Sequence, residues 1–210
     1  MKTLISITAA VLAVASAGAV QAQDSEVAVA GSAEASCTLP GSWSFVSQNG
    51  GASGANFSGT TWTIPEAALA GPGAIPTAGA EYAIRVRGTG FCNASHTIRL
   101  QSTRGGLVNG DPTQAAPAGF AKRRAMNYAA HWAGNGGPDN RNPFGPQASF
   151  TPSTPGQQSG AATYVVSGSL APPGNRIFDV RMGFNRGPLT TPLVAGAYSD
   201  SVTVTIALAP

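Results

Sequence analysis

Tyr198-Ser199-Asp200-Ser201-Val202-Thr203-Val204-Thr205-Ile206-Ala207-Leu208 is the stretch on which the fold turns. Val202, Val204, Ile206 and Leu208 fall on one side of an extended backbone. Ser201, Thr203, Thr205 and Ala207 fall on the other. Period-two alternation with β-branched residues at most positions predicts a strand. Its oily face should cover a core while its hydroxylated face meets water. What lies beside this strand is the functional question.

Working outward, other segments carry the same signal. Tyr82-Ala83-Ile84-Arg85-Val86-Arg87-Gly88 places Tyr82, Ile84 and Val86 on one face and predicts Arg85 and Arg87 in solvent. Gly88-Thr89-Gly90 should loosen that strand. His96 to Ser102 predicts another, with Ile98 and Leu100 as its apolar face. Phe120 to Trp132 reads as strand, with Met126, Tyr128, Ala130 and Trp132 aligned; helix competes, because Ala and Met favour it. Thr163 to Leu170 and Arg176 to Phe184 add two more. Short strands are expected at Cys37–Leu39, Trp43–Val46 and Thr61–Ile64, with a loop over 47–60. A single helical turn fits near Glu66–Ala70, before Gly71-Pro72-Gly73. Residues 133–161 form a long Gly/Pro/Asn-rich excursion of the kind that is functional or disordered. Seven or eight strands separated by turns favour an all-β sandwich or barrel.

The start of the chain reads differently. Lys2, the apolar run Leu4–Ala19 and the small-residue site Val20-Gln21-Ala22 predict a secretory signal peptide, residues 1–22. The expected product is exported and soluble, with residues 37–210 as one β-sandwich domain. Between them, residues 23–36 form an extended segment. Val27, Val29, Ala33 and Ala35 alternate there with mostly small or polar neighbours. It is either a frayed terminus or edge strand, or a strand destined for another sheet.

Charged residues make up only 10% of the 210-residue chain, and the net charge is +3. That is too little to argue for nucleic acid as a partner. The 27 glycines and 16 prolines accompany Val/Ile/Thr/Tyr clusters, so turns in a β fold explain them better than disorder. An even pair of cysteines, Cys37 and Cys92, in an exported chain predicts one disulfide. No catalytic set stands out, and no cofactor motif or metal-ligand spacing occurs. His96 and His131 have no local ligand partner, and a site completed by Asp139 or Asp111 is less favoured than structural roles. Lys122-Arg123-Arg124 is the one dense basic cluster, read by default as a surface contact. Trp43, Trp62 and Trp132 suit a core better than a sugar platform. Asn93-Ala94-Ser95 and Asn56-Phe57-Ser58 match the glycosylation acceptor pattern.

Four stretches together resemble the spore-coat-protein-U domain family, which includes pilin subunits of the archaic chaperone–usher pathway. They are Val27 to Cys37; Phe91-Cys92-Asn93 leading into His96–Leu100; Arg123-Arg124-Ala125-Met126-Asn127-Tyr128; and Pro192 to Ile206, the most specific of the four. The resemblance implies an immunoglobulin-like sandwich that lacks one strand. The groove left behind would run beside Val202, Val204, Ile206 and Leu208. A periplasmic chaperone would fill it first, and the donor face Val27, Val29, Ala33 and Ala35 of the next subunit would follow. An outer-membrane usher would then export the fibre to the cell surface. The residues themselves leave an alternative open: a secreted, non-polymerising module that binds a glycan or another surface ligand through the loop 133–161 and exposed aromatics.

Overall fold

The described residues are 30–50, 52, 54–70, 81–133, 148–159, 162–164, 176–185 and 191–208 of a computed structural model. Contacts divide the chain into residues 1–33 and 34–210. In the first unit, residues 30–33 form no strand and are exposed, Ala33 among them, whereas Val27 and Val29 lie outside the described residues.

The second unit is an all-β, sandwich-like fold. Its strands are β1 (Cys37–Thr38), β2 (Ser44–Asn49), β3 (Phe57–Ser58), β4 (Thr61–Trp62), β5 (Tyr82–Cys92), β6 (His96–Ser102) and β7 (Leu107–Asn109). They continue with β8 (Arg123–Arg124), β9 (Asn127–Ala133), β10 (Ala148–Phe150), β11 (Ala162–Tyr164), β12 (Arg176–Phe184), β13 (Tyr198–Ser199) and β14 (Val202–Leu208). One helical turn, α1 (Glu66–Leu69), follows β4. The main sheet runs β1-β5-β12-β9-β10, with β2 also on β5. A second sheet runs β11-β6-β14, and all pairs are antiparallel. Smaller sheets join β13-β7-β8 and β3-β4.

The core lies on the inward faces of these sheets. β5 buries Tyr82, Ile84 and Val86; β9 buries Tyr128, Ala130 and Trp132; β12 buries Phe178, Val180 and Phe184. β6 contributes Ile98 and Leu100, both with no exposed surface. Complete burial of an aliphatic or aromatic side chain stabilises by about 1.5–3 kcal/mol, so these rows dominate the stability of the domain. Trp132 meets Phe178 edge-on at 4.8 Å, and Trp43 meets the same ring at 6.1 Å. Trp62 stacks on Tyr82 at 5.5 Å. All three tryptophans therefore serve the core or its margin.

Several local expectations change. Gly88-Thr89-Gly90 does not loosen β5, which runs 11 residues and pairs with β12 from Tyr82 through Gly90. The glycines serve a close approach instead. A Cβ on Gly90 would stand 2.6 Å from Thr38 O, and one on Gly88 would collide with Pro40 and Ser42 O. The expected loop 47–60 is partly structured: β2 extends to Asn49, and Phe57–Ser58 forms a hairpin with Thr61–Trp62. The excursion 133–161 contains β10, which pairs with β9. Residues 134–147 and 165–175 lie outside the described residues, and with them Asp139 and the later part of the strand expected over 163–170.

Candidate functional site

β14 shows the alternation its sequence dictates. Val202, Val204 and Ile206 turn inward and Thr203 and Thr205 outward. It pairs with β6 through Val202↔Ser102, Val204↔Leu100, Ile206↔Ile98 and Leu208↔His96. On its other edge no strand is paired among the described residues. Its inward face is only half-buried, and Leu208 is 45% exposed. Among the described residues, the backbone groups on that edge have no strand partner.

A cavity of about 530 Å³ lies beside this edge. Leu39, Pro40, Trp43, Ser201, Val202 and Val204 are among its lining. Val86, Met126, Tyr128, Val180 and Met182 also line it, so the space opens onto the core. An adjoining cleft of about 1080 Å³ lies between residues 61–70 and 193–200. Thr61, Trp62, Ile64, Leu107 and Asp200 line both. Trp62 Nε1 is buried there without a hydrogen-bond partner among the described residues. A buried N–H without an acceptor costs about 1–3 kcal/mol, so an incoming carbonyl would be favoured at this point.

Asp200 fixes the start of β14. Its Oδ2 accepts from Ser102 Oγ at 2.7 Å, Tyr128 OH at 2.7 Å and the Gly106 amide at 3.1 Å. Its Oδ1 accepts from the Arg104 and Ser201 amides at 2.9 and 2.8 Å. Ser102 Oγ in turn accepts from the Gly105 amide at 2.8 Å. One carboxylate thus closes the turn after β6, anchors Tyr128 of β9 and seats β14. Burial and the Asp200 charge push the Tyr128 phenol far above its ordinary range, so it stays a donor. Sequence reasoning missed this role. The available signal was an acidic residue directly ahead of an alternating strand, next to Ser201.

The disulfide Cys37–Cys92 joins β1 to β5, where the two residues sit opposite each other. Asn93 clamps the chain just upstream. Its side chain accepts from the Ser36 amide at 2.7 Å and donates to Glu34 O at 2.8 Å, and its own amide donates to Ser36 O. The Asn93 acceptor pattern thus has a structural use. Ala35 is exposed and outside any strand. Cys37 lies near the Leu208 end of β14, because Leu208 pairs with His96 and His96 adjoins Cys92.

The other candidate residues do not converge. His96 Nε2 accepts from Trp132 Nε1 at 2.7 Å, whereas His131 sits next to Trp132 on the opposite face of β9. Asp111 lies in an exposed turn, accepting from Thr113. Arg85 and Arg87 point away from the core but are only 14% exposed. Both hold Asp179, Arg85 through Nε at 2.8 Å and Arg87 through Nε at 2.7 Å. Their expected exposure is overturned because fully buried Asp179 lies directly across from Arg87 and draws both cations in. Burial alone would raise the Asp179 pKa, but the hydrogen bonds and charges of Arg87 and Arg85 outweigh it and hold it low. His131 Nε2 lies 3.8 Å from Asp179 Oδ2, and neither ring nitrogen has a hydrogen bond among the described residues. Burial lowers the His131 pKa, with Arg85 and Arg87 adding to the shift and Asp179 opposing it.

The basic cluster also disperses. Lys122 donates to Asp111 O, and Arg123 to Ser153 O. Arg124 is buried, donates to Asn185 O and lies over the Phe184 ring. It is therefore a core cation rather than part of a surface patch.

Comparison with known proteins brings no family. No family model, curated protein or solved structure matches the chain. The groove and its geometry carry the functional argument alone.

Proposed function

We propose that the chain is an exported, non-catalytic structural subunit of a pilus-like surface fibre, assembled by strand donation. The unpaired, half-buried edge of β14 beside an open cavity carries this reading. An extended segment inserted there would satisfy the free backbone groups of β14 and cover Val202, Val204, Ile206 and Leu208. The donor in this account is residues 23–36 of another copy, with Val27, Val29, Ala33 and Ala35 facing inward. A periplasmic chaperone would hold the groove before assembly, and an outer-membrane usher would be the assembly platform. Head-to-tail donation does not close on itself, so it yields a filament.

The test pairs Ala33→Cys in one copy with Val204→Cys in another, under oxidising conditions in cells. Disulfides between the two copies are expected, and deletion of residues 23–35 from otherwise unaltered protein should abolish assembly. Assembly that persists after the deletion, or the absence of a disulfide between the two copies, would falsify donation.

A further inference from the structure

The surroundings of the Cys37–Cys92 disulfide are not symmetric. Cys92 has no exposed surface, whereas Cys37 is only partly buried. His96, fully buried, begins β6 just after Cys92. Its Nδ1 lies 2.9 Å from Cys92 Sγ and 2.8 Å from Ala94 O. Its Nε2 lies 2.7 Å from Trp132 Nε1. An indole nitrogen can only donate. Nε2 therefore accepts, and the ring proton sits on Nδ1. That N–H points at Ala94 O, with Cys92 Sγ close enough to share it.

Cys37, Cys92 and His96 also present ligand atoms within 4.8 Å of one another, the spacing of a metal cluster. The proton on Nδ1 opposes that use. A protonated Nδ1 has no lone pair for a metal. Moving the proton to Nε2 would set two N–H groups against each other at 2.7 Å. What Nδ1–H can do is stabilise negative charge on Cys92 sulfur.

We propose that His96 makes this a directional disulfide: exchange takes place at Cys37 Sγ, and Cys92 is the thiolate that leaves and returns. In reduction, a small thiolate attacks Cys37 Sγ. A new S–S bond forms there, the Cys37–Cys92 bond breaks, and its electron pair goes to Cys92 Sγ beside the His96 N–H. Oxidation reverses the path. Cys92 thiolate attacks Cys37 Sγ in a mixed disulfide, the Cys37–Cys92 bond forms, and the small thiolate departs. The co-reactant is a small thiol or its disulfide. His96 keeps its proton throughout, and a better leaving thiolate makes the exchange faster. The inference is independent of strand donation. It makes Cys37, at the root of the N-terminal segment, the sulfur through which the bond is opened and closed.

The experiment treats native protein spanning residues 23–210 with excess 2-mercaptoethanol, quenches with iodoacetamide and maps the peptides by mass. The mercaptoethanol adduct is expected on Cys37, with alkylated Cys92. An adduct on Cys92, or equal amounts on both, overturns the proposal. His96→Gln and His96→Asn then address the histidine. The Gln amide reaches the Nε2 position only, so reduction should slow about tenfold. The Asn amide falls at the Nδ1 position and should retain most of the rate. A merely structural His96 predicts the reverse, because a loosened fold exposes the disulfide and reduction accelerates. Equal or faster reduction in His96→Gln would remove His96 from the account. Should that variant not fold, the position of the adduct in the unaltered protein still decides the direction.

Discussion

β6 and β14 are neighbours with matched registers and the same alternation, yet they differ in what covers them. Along β6, His96, Ile98, Leu100 and Ser102 have no exposed surface. Directly across, Leu208, Ile206, Val204 and Val202 are half-buried or exposed. One strand step, about 4.8 Å, takes the molecule from a closed core to an open one. Periodicity therefore reports that a face is apolar, not that it is covered. Coverage depends on a strand on the far side, and beside β14 the described residues supply none.

The comparison can be broken at several places. The largest effect belongs to the covalent tie at the Leu208 end. Cys37→Ser opens a bridge spanning 55 positions and should cost about 4 kcal/mol in urea denaturation, on a chain-entropy account. An unchanged midpoint would mean that the tie contributes little. Next come two truncations across one register pair. Leu100→Ala should cost about 3 kcal/mol, and Val204→Ala about 1 kcal/mol or less in the isolated subunit. Equal losses would mean that β14 is as well covered as β6. Asp200→Asn keeps the shape but turns an amide toward several donors, for a loss of about 2 kcal/mol. If Asp200 anchors β14, hydrogen exchange in that variant should rise first in β14 and in the turn after β6.

A smaller effect comes from the outer face of the main sheet. The folded-state pKa of His131 is depressed, so the unfolded chain takes up a proton first as pH falls. Stability should therefore decline as pH drops below about 6.5, the ordinary histidine value. Asp179, also depressed, adds its own loss only below about pH 4. Melting temperatures from pH 7.5 to 5 should fall in the native protein and flatten in His131→Gln. A slope that survives in the variant would assign it to other groups.

Much of the fold was legible in the sequence, for a physical reason. In β5, β6, β9, β12 and β14 the apolar residues alternate over long runs, and each run lands on one buried or half-buried face. Short elements were harder. β3, β7 and β10 have only two or three residues each, too few for any periodicity to announce them. Polar architecture was the least legible. Asp200, Asp179 and Arg124 each look like a surface charge in the sequence. Each is drawn inward by donors or acceptors more than sixty positions away. The unpaired edge of β14 among the described residues could not be read, because an edge is a property of the whole sheet.

Hydrogen exchange of the β14 amides is the most direct test of the open edge. In isolated protein spanning residues 23–210, the account predicts protected amides in β6 and in the half of β14 that faces it. The β14 amides pointing away from β6 should exchange freely, and become protected when a peptide of residues 23–36 is added in excess. Protection of all β14 amides in the isolated protein, or no change on adding the peptide, would contradict it.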